Sequence, residues 1–391
     1  MVNIAILGST GSIGKTLLNI VKKDKKNFKI ILLTANKNYE DLLKQSKIFK
    51  VKNLIIINKN SYKILKNKTK FTNINVFNNF DQFHKIFKRK IDYTMSSITG
   101  IEGLNPTIDI IKFTKKIAIA NKESIICGWN LINNELKKNK TKFIPVDSEH
   151  FSIWFGLQHM SAKNIEKIYL TASGGPLYKM SNNQIKNISI SKALKHPNWS
   201  MGKKISIDSA TMINKIYEVI EAKNIFNIPY HKIKILIHPK SYVHALLKFN
   251  NGLIKIIAHD TTMQIPVFNT IYDNNEKKIK SKKLKIELLN NLSLNSVDRL
   301  KFPMIKILDF LPNKPSLYET VLVAANDTLV DLFLKKKIKF LDIHKKLFKI
   351  IKSNEFLKYK KIYPLNVNDI VELNNYVRLK ILKKVYKFQN A

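Results

Sequence analysis

The segment that most constrains the fold lies near the amino terminus, where an apolar strand runs through a glycine-rich turn into an amphipathic helix (NIAILGSTGSIGKTLLNIVKK). Gly8, Gly11 and Gly14 give the spacing G-x-x-G-x-x-G, a relative of the dinucleotide-binding fingerprint. The glycines permit a tight turn and bring backbone N–H groups close to a pyrophosphate at the helix amino terminus. The pattern predicts a parallel βα sheet with a dinucleotide site; the alternative is an ordinary tight turn between a strand and a helix.

The next strand, FKIILLTANKN, indicates which dinucleotide is bound. An NAD site usually places an acidic residue at the end of this strand, where it binds the ribose 2′-hydroxyl. Here the strand ends in Ala35, Asn36, Lys37 and Asn38. Because lysine and asparagine suit a 2′-phosphate, we expect NADPH. Without the upstream fingerprint, Lys37 would be one more solvated lysine.

Polar side chains follow two further predicted strands at the point where each strand ends. KKIAIANKES ends in Asn121-Lys122-Glu123, and FIPVDSEH carries Asp147 and Glu149 after an apolar run. Ligands of open α/β sheets bind outside the carboxyl ends of the strands. We therefore expect these side chains at a cofactor crevice.

The segment Asp147-Ser148-Glu149 carries two neighbouring carboxylates, which require a positive group to balance their charge. As an extension of the preceding strand, it places the two carboxylates on one side, about 7 Å apart, where they repel each other. Oxygen donors without a nearby cysteine favour a hard cation such as Mg²⁺ or Mn²⁺. The alternative is a polar loop, because Asp-x-Glu is a common spacing, so a metal site requires a third carboxylate.

A candidate for the third carboxylate lies in ISIDSATMINKIYEVIEAKNIF, which predicts a short strand, a cap at Asp208 or Ser209, and a helix. On that helix Asn214, Lys215 and Glu218 share one face. An amide, an ammonium and a carboxylate in this arrangement could serve a phosphorylated substrate and a metal together. The alternative is an ion pair on the protein surface.

Three other segments carry groups suited to a ligand. TASGGPLYK predicts a turn after a strand, with hydroxyl and backbone groups that suit an anion. KHPNWSMGKK (195–204) has neither helical nor strand periodicity and carries a lone tryptophan, which indicates a lid. LIHPKSYVHALLKF (236–249) predicts a strand that carries His238 and His244, and each histidine alone is more typical of a structural role.

Length and cysteine content bound the class of protein. A chain of 391 residues with 45% apolar content can bury a sizeable core and indicates two or three domains. The single cysteine, Cys127, excludes an intramolecular disulfide framework and a cysteine-rich zinc site and is typical of a reducing compartment. We find no signal peptide and no apolar run of the roughly 18 residues that span a membrane, so we expect a cytoplasmic protein.

The formal net charge of +41 invites a nucleic-acid partner, because basic surfaces neutralise phosphates. However, the chain's arginines are only Arg89, Arg299 and Arg378, and arginine is preferred in bidentate phosphate and base contacts. The lysines are spread along the chain with isoleucine and asparagine, as a global compositional bias would produce. We therefore rank a specific nucleic-acid partner low and expect weak, nonspecific binding to polyanions at low salt.

Taken together, the motifs resemble one family, the 1-deoxy-D-xylulose 5-phosphate reductoisomerases. The resemblance covers about residues 4 to 250 and rests on GSTGSIG, ANKES, PVDSEH, SGGP, HPNWSMG, DSATMINK and IHPKSYVH, in the order and spacing of the family. A weaker similarity follows at Ala324-Ala325-Asn326-Asp327.

The resemblance implies an α/β fold in three parts. A Rossmann-like NADPH domain would cover residues 1–147, and an α+β catalytic and dimerisation domain would cover 148–275. A lysine-rich linker at 276–299 would lead to a C-terminal helical bundle at 300–391. Segments such as LVDLFLKKKI and IHKKLFKIIK have the period of 3.6 expected of helices. A homodimer is implied as well.

The family isomerises a linear ketose phosphate to a branched aldehyde, which NADPH reduces to 2-C-methyl-D-erythritol 4-phosphate in the non-mevalonate isoprenoid pathway. A divalent metal chelated by the substrate's ketone and hydroxyl polarises the carbonyl. The metal is Mg²⁺ or Mn²⁺, with Co²⁺ as a further option. By resemblance its ligands are Asp147, Glu149 and Glu218, which would explain the paired carboxylates.

The resemblance also implies roles for the other site residues. Lys122 and Glu149 would handle protons in catalysis, with His196 and Trp199 on the closing loop. The substrate would be bound by Ser148, Glu149, Ser173, His196, Ser209, Asn214, Lys215, Glu218 and His244. NADPH would be bound by Thr10, Gly11, Ser12, Ile13, Lys37, Asn38, Asn121, Glu123, Gly202 and Met263.

Two departures from the family pattern stand out. The family commonly has Asn-Lys-Gly-Leu-Glu where this chain has NKIYE at 214–218, and Ala172 replaces the usual glycine before the serine. Neither change removes a proposed chemical group, so we expect activity. Two alternatives remain open: another NADPH-linked, metal-assisted dehydrogenase of a small phosphorylated substrate, and a polyanion-binding protein on an inactive enzyme fold.

Overall fold

The computed structural model describes residues 1–199, 201–272, 277–284 and 286–387. Backbone contacts divide the chain into two compact units. Unit 1 comprises Met1–Ser124, Leu131–Phe151 and Thr262–Lys280, and unit 2 comprises Ile125–Asn130, Ser152–Thr261 and Ser281–Ala391. None of the helices in the described ranges is both long and apolar enough to cross a membrane.

The strands form one sheet in each unit. The seven-stranded sheet of unit 1 contains β1 (Val2–Leu7), β2 (Phe28–Ala35), β3 (Asn53–Ile56), β4 (Asn75–Phe77), β5 (Ile91–Ser96), β6 (Thr114–Ile119) and β7 (Lys142–Pro145). The five-stranded sheet of unit 2 contains β8 (Ile165–Ala172), β9 (Ile233–Ile237), β10 (Val243–Phe249), β11 (Ile254–Ala258) and β12 (Asn295–Ser296).

Helices occupy most of the remaining chain. The α-helices are α1 (Ser12–Lys23), α2 (Tyr39–Phe49), α3 (Lys59–Lys68), α4 (Phe83–Ile86), α5 (Leu104–Ile111), α6 (Lys122–Lys138), α7 (Ser148–Gly156), α8 (Asn182–Lys186), α9 (Ile190–Leu194), α10 (Lys203–Thr211), α11 (Ile213–Phe226), α12 (Gln264–Ile271), α13 (Ile286–Asn290), α14 (Tyr318–Leu334), α15 (Phe340–Ile351), α16 (Asn354–Leu357) and α17 (Val367–Lys387). Short 3₁₀ helices lie at Ile101–Gly103, Ala162–Asn164, Tyr230–Lys232, Pro303–Phe310 and Lys358–Lys361.

The sheet of unit 1 has the order β4-β3-β2-β1-β5-β6-β7, and all of its neighbouring strands are parallel. The last four residues of β1 (4–7) are fully buried, as expected of a parallel strand covered on both faces. The chain first adds strands on one side of β1 and then on the other, so the topological switch point lies between β1 and β5. The predicted parallel βα sheet is confirmed.

The turn after β1 shows why two of its glycines are needed. Gly8 has φ +84°, and a Cβ there would lie 2.8 Å from the carbonyl oxygen of Ser97. A Cβ on Gly14 would lie 2.6 Å from the carbonyl oxygen of Gly8. A larger residue at either position would force the backbone of the turn apart, so the glycine spacing positions the amino terminus of α1.

Helix α12 belongs to unit 1. Its Val267 and Ile271 lie in the same buried cluster as the strands, and Tyr93 OH is 2.7 Å from Thr270 Oγ1. In the predicted domain division, residues up to 275 are assigned to the catalytic domain. The observed units differ at this segment, and the three-part division stays a prediction.

The sheet of unit 2 has the order β11-β10-β8-β9-β12 and is mixed, because only β8 and β9 pair in parallel. Val219 and Ala222 of α11 pack against the buried side chains of this sheet. Helix α14 packs against α15 and α17, so the predicted helical C-terminal region is confirmed.

Three local predictions of secondary structure are wrong. Glu149 is not in an extended segment, because α7 begins at Ser148. Residues 205–211 lie in helix α10 instead of a strand, and Met212, with φ 65°, separates α10 from α11. Residues 236–249 form parts of two strands, β9 and β10, instead of one.

A buried ionisable cluster lies between helices of unit 2. Glu319 of α14 is 2% exposed and accepts a hydrogen bond of 2.6 Å from Ser316 Oγ. Burial raises the pKa of Glu319 from 4.5 to about 7, while Lys223 of α11 opposes the rise. The ammonium of Lys223 lies 5.4 Å from the ring centre of Tyr230. Glu319 therefore binds its proton more tightly in the folded protein than in the unfolded chain.

We predict that Glu319→Gln becomes more stabilising, relative to wild type, as the pH rises. Because the folded pKa lies above the ordinary 4.5, the contribution of Glu319 is fully present below about pH 4.5 and is lost as the pH rises through 7, on the order of 3 kcal/mol in all. Urea unfolding of both proteins at pH 5 and pH 8 measures the effect. The exposed Glu287→Gln is the control. An equal difference at both pH values would contradict the assignment.

Candidate active site

The glycine-rich turn of unit 1 presents backbone donors at the amino terminus of α1. Gly11 and Ser12 are exposed, while Thr10 and Ile13 are partly buried. Helix α1 has no side-chain cap and no acidic residue in its first turn. An anion at this position would meet N–H groups and the positive end of the helix dipole. The geometry suits a pyrophosphate.

The segment that directly follows β2 is exposed, and its backbone is held by hydrogen bonds. Asn36, Lys37 and Asn38 face solvent, and the segment contains no carboxylate. Asn38 caps α2 by accepting from Asp41 N at 3.0 Å, and the carbonyl oxygen of Lys37 accepts from Ser61 Oγ at 2.8 Å. The backbone on either side of the Lys37 side chain is therefore held in place.

The carboxyl ends of β6 and β7 carry an ion pair. Lys122 Nζ lies 2.8 Å from Asp147 Oδ2, and both side chains are largely buried. Phe151 N donates to the carbonyl oxygen of Asp147 at 2.7 Å, which begins α7 directly after the strand. As a result Glu149 lies in the first helical turn, and its Oε2 accepts from Ser148 Oγ at 2.6 Å.

This helical turn changes the spacing of the two carboxylates. A carboxylate oxygen of Asp147 lies within 4.8 Å of a carboxylate oxygen of Glu149. This distance is shorter than the one expected if the two residues were in an extended strand. Two oxygens at that separation can share a hard cation. The negative charge also lies at the amino terminus of α7, where the helix dipole favours it.

The neighbouring predicted cofactor residues differ in their surroundings. Asn121 is almost fully buried; it caps α6 by accepting from Ser124 N at 2.8 Å and donates to the carbonyl oxygen of Gly100 at 2.8 Å. The Asn121 side chain therefore has a structural role, because its hydrogen bonds connect the loop after β5 to the start of α6. Glu123 is buried in the first turn of α6, and Met263 is partly buried against the core of unit 1.

In unit 2, α11 brings three predicted residues onto one face, as expected. Glu218 accepts hydrogen bonds from Asn214 Nδ2 and Lys215 Nζ. Lys215 is 5% and Glu218 1% exposed, so the alternative of a surface ion pair is wrong. A buried pair of this kind carries a large desolvation cost, which is typical of a functional site.

His196 is held as a neutral imidazole with a defined tautomer. Its Nδ1 accepts from the backbone N–H groups of Asn198 and Trp199, at 3.1 and 3.0 Å, so its proton lies on Nε2. That Nε2–H donates to Ser173 Oγ at 3.1 Å. Burial, with Lys215 nearby, lowers the pKa of His196 to about 4. The ring is therefore uncharged at neutral pH.

Ser173 is fixed by the glycine turn that follows it. Its Oγ also accepts from Gly175 N at 3.0 Å, which leaves the hydroxyl hydrogen to donate. A Cβ on Gly175 (φ +62°) would lie 3.0 Å from the carbonyl oxygen of Ser209, so the turn packs directly against α10. The structure thus places Ser173 against His196 and the turn after Ser173 against the backbone of Ser209, and their grouping at one substrate site stays a prediction.

Polar groups of His196 and Asn198 hold the residues that precede Ser200, which itself lies outside the described residues. Asn198 Nδ2 donates to the carbonyl oxygen of Pro239 at 2.7 Å and to Ser241 Oγ at 2.8 Å. The Trp199 ring packs edge-on against His244, with centroids 6.2 Å apart. Gly202 is exposed and is the N-cap residue of α10. The prediction of a lid stays open.

Sequence reasoning missed His259. Its ring stacks on that of His244, with centroids 3.8 Å apart. In the sequence, His259 is marked only as a polar residue directly after an apolar segment. Its contact with His244 depends on the pairing of β10 with β11, which the sequence does not show.

The fold and these groups define a class: a dinucleotide-dependent oxidoreductase with a carboxylate site for a cation and a polar site for a small anion. Comparisons with known proteins identify the family. Residues 4–128 match 1-deoxy-D-xylulose 5-phosphate reductoisomerase, and residues 143–226 and 260–380 match two C-terminal domains of that enzyme. The chain belongs to the 1-deoxy-D-xylulose 5-phosphate reductoisomerase family.

Individual relatives agree with this assignment. A 1-deoxy-D-xylulose 5-phosphate reductoisomerase of Pelagibacter ubique is 60% identical over 97% of this chain and 99% of its own length. The enzyme of Zymomonas mobilis, solved with NADPH, is 30% identical, covers 98% of this chain and 99% of its own, and has a TM-score of 0.87. A DOX-P reductoisomerase solved with NADPH, fosmidomycin and magnesium is 29% identical, with a TM-score of 0.90 over 100% of this chain and 99% of its own.

These matches confirm the predicted α/β fold class and the predicted enzyme class, an NADPH-dependent reductoisomerase that uses a divalent metal. They favour this activity over the two alternatives, another dehydrogenase and a polyanion-binding protein on an inactive fold.

Proposed function

We propose that this chain rearranges 1-deoxy-D-xylulose 5-phosphate and reduces the resulting aldehyde with NADPH to 2-C-methyl-D-erythritol 4-phosphate. The observation that carries the residue assignments is the pair of carboxylates, Asp147 and Glu149, at the carboxyl edge of the parallel sheet with Lys122 beside them. In this reaction a C–C bond breaks and re-forms, and the aldehyde carbon then receives a hydride while its oxygen receives a proton. Such chemistry requires charge control at neighbouring oxygens.

The proposed metal ligands are Asp147, Glu149 and Glu218. The donors are all carboxylate oxygens, and the lone cysteine of the chain, Cys127, is buried elsewhere in α6, so the set fits Mg²⁺ or Mn²⁺, with Co²⁺ as a further option. When bound, the cation supplies Lewis acidity to the ketone and the adjacent hydroxyl of the substrate.

Lys122 and Glu149 are the proposed proton-handling groups. Lys122 donates to Asp147 through its ammonium group, which is the type of donor that a developing charge on a substrate oxygen requires. Ser148 Oγ donates to Glu149 Oε2 and thereby orients that carboxylate. The three side chains can hold the hydroxyl groups of the substrate, and Lys122 and Glu149 can exchange protons with them as the carbon skeleton rearranges.

The phosphate end is proposed to bind in unit 2. The hydroxyl of Ser173 is poised to donate, and Ser209, Asn214 and Lys215 add a hydroxyl, an amide and an ammonium. His196 is neutral, so it contributes an oriented N–H group and no charge. Trp199 and His244 are proposed to cover the substrate, with the segment 195–204 as a closing loop that excludes water.

NADPH is proposed to bind along the carboxyl edge of the unit 1 sheet. The exposed donors of the glycine turn suit its pyrophosphate, and the end of β2 suits its 2′-phosphate. The proposed contacts are Thr10, Gly11, Ser12, Ile13, Lys37, Asn38, Asn121, Glu123, Gly202 and Met263.

We predict that Asp147→Asn, Glu149→Gln and Glu218→Gln each lower kcat by orders of magnitude, because each removes one anionic ligand. Binding of Mn²⁺, followed by electron paramagnetic resonance, should weaken in the same variants, while circular dichroism shows an intact fold. Glu372→Gln, at an exposed position on α17, is the control. Normal metal affinity in all three variants would show that the ligands are misassigned.

We predict that Lys37→Ala weakens NADPH and leaves NADH nearly unchanged. A charge-assisted contact contributes roughly 1.5–3 kcal/mol, which corresponds to about a ten- to hundredfold loss. Asn36→Asp should move the preference further toward NADH. Values of kcat/KM with both cofactors measure this, and Lys29→Ala, near the opposite end of β2, is the matched control. An equal loss for both cofactors would mean that Lys37 acts only through the general positive field.

We further propose that the protein is a homodimer, and that a second copy covers the β11 edge of the unit 2 sheet. Ile254 and Ile256 of this edge strand are 56 and 48% exposed, and Leu253, directly before the strand, is 63% exposed. Uncovered apolar edge strands favour uncontrolled association, so a defined partner is expected. A reducing, cytoplasmic compartment and the lack of a specific nucleic-acid partner stay proposals, supported by the single buried cysteine and the scattered lysines.

We predict that the double variant Ile254→Lys/Ile256→Lys is monomeric, because two ammonium groups would have to be buried in the interface. Analytical ultracentrifugation of wild type and variant measures the mass. Leu365→Lys, which alters an exposed leucine elsewhere in unit 2, should leave the mass of the dimer unchanged. If the double variant keeps the mass of the wild-type dimer, another surface forms the interface.

A further inference from the structure

His244 occupies an irregular position in the unit 2 sheet. Val243 pairs with Ala258 and Ala245 pairs with Ile257, so His244 is the extra residue of a β-bulge in β10. Bulges rotate a side chain out of the normal alternation and are frequent next to active sites. The bulge directs the His244 ring to the Trp199 side of the strand, where the two rings meet edge-on.

The ring of His259, which follows β11, lies flat against the ring of His244. The two planes are inclined by 19°, and their centroids are 3.8 Å apart. His244 Nε2 lies 3.2 Å from the carbonyl oxygen of His259, and His259 Nδ1 lies 2.8 Å from the carbonyl oxygen of Asp260. Only an N–H can donate to a carbonyl, so a proton lies on His244 Nε2 and on His259 Nδ1, and both rings have a defined orientation.

We propose that His259 is a positioning residue for the substrate site: its ring fixes the plane of His244, against which Trp199 packs. The inference rests on the proposed function, in which His244 and Trp199 contact the substrate. His259 is not placed in contact with substrate or cofactor, and it acts through His244. A stacked ring organises the site before the substrate arrives, so its loss raises KM more than it lowers kcat.

Three substitutions separate the stacked ring from the hydrogen bond. His259→Phe keeps a ring and loses the donor to Asp260, His259→Asn keeps a donor and loses the ring, and His259→Ala loses both. The main-chain acceptor for His244 Nε2 remains in every variant. We expect Ala and Asn to raise the KM for 1-deoxy-D-xylulose 5-phosphate about three- to tenfold, with kcat within about twofold, and Phe to restore the wild-type KM.

The fluorescence of Trp199 gives an independent readout. In a background with Trp129→Phe and Trp154→Phe, the emission of the substrate-free enzyme reports the packing of Trp199 on His244. It should change in the Ala and Asn variants and return with Phe. His231→Ala, at an exposed histidine of the same unit, should change neither KM nor emission.

The outcomes separate two failures. If the wild type does not turn over 1-deoxy-D-xylulose 5-phosphate, the proposed function is wrong. If the wild type is active, and the Ala and Asn variants keep both KM and Trp199 emission, the positioning role is overturned. A wild-type-like Asn variant with an impaired Phe variant would also overturn it, because the hydrogen bond and not the stacked ring would then be responsible.

Discussion

The parallel pairing of seven strands is the constraint on which the chemistry of unit 1 depends. Because every strand runs in the same direction, every strand ends at the same edge, and the polar residues that follow the strands meet there. The glycine turn follows β1, the segment with Lys37 follows β2, and Asp147 follows β7. Their side chains can be polar because they lie beyond the apolar interior of the sheet.

Charge in the site is controlled locally, within a chain whose formal net charge is +41. Most lysines are exposed and make the general field that attracts anionic substrates. Lys122 and Lys215 differ because they are buried and each is paired with a carboxylate, Asp147 and Glu218 respectively. Burial strengthens the Coulomb attraction within these pairs and reduces the screening that weakens surface pairs, although it also carries a desolvation cost. The ion pairs therefore fix the side-chain positions of Lys122 and Lys215, in contrast to the exposed lysines.

Unit 2 positions its groups by interrupting regular structure. Met212 in the left-handed region ends α10 and allows α11, which carries Asn214, Lys215 and Glu218 on one face, to begin at the next residue. A bulge reorients His244, and two left-handed glycines, Gly174 and Gly175, form the turn that fixes Ser173. Such departures from regular backbone geometry are concentrated at functional sites, where tertiary packing maintains them.

The sequence by itself determined the features that depend on local chemistry. The glycine spacing predicted the turn after β1 because Gly8 and Gly14 leave no room for a Cβ, and helical spacing predicted the shared face of Asn214, Lys215 and Glu218. Tertiary structure alone decided the features that depend on distant partners. The β-branched segment at 205–207 reads as a strand but is helical, and its helix is anchored where Asn326, 118 residues away, donates to the buried Asp208. The contact between His244 and His259 likewise follows from the register of two strands, which no local pattern encodes because strand pairing is set by packing across the whole sheet.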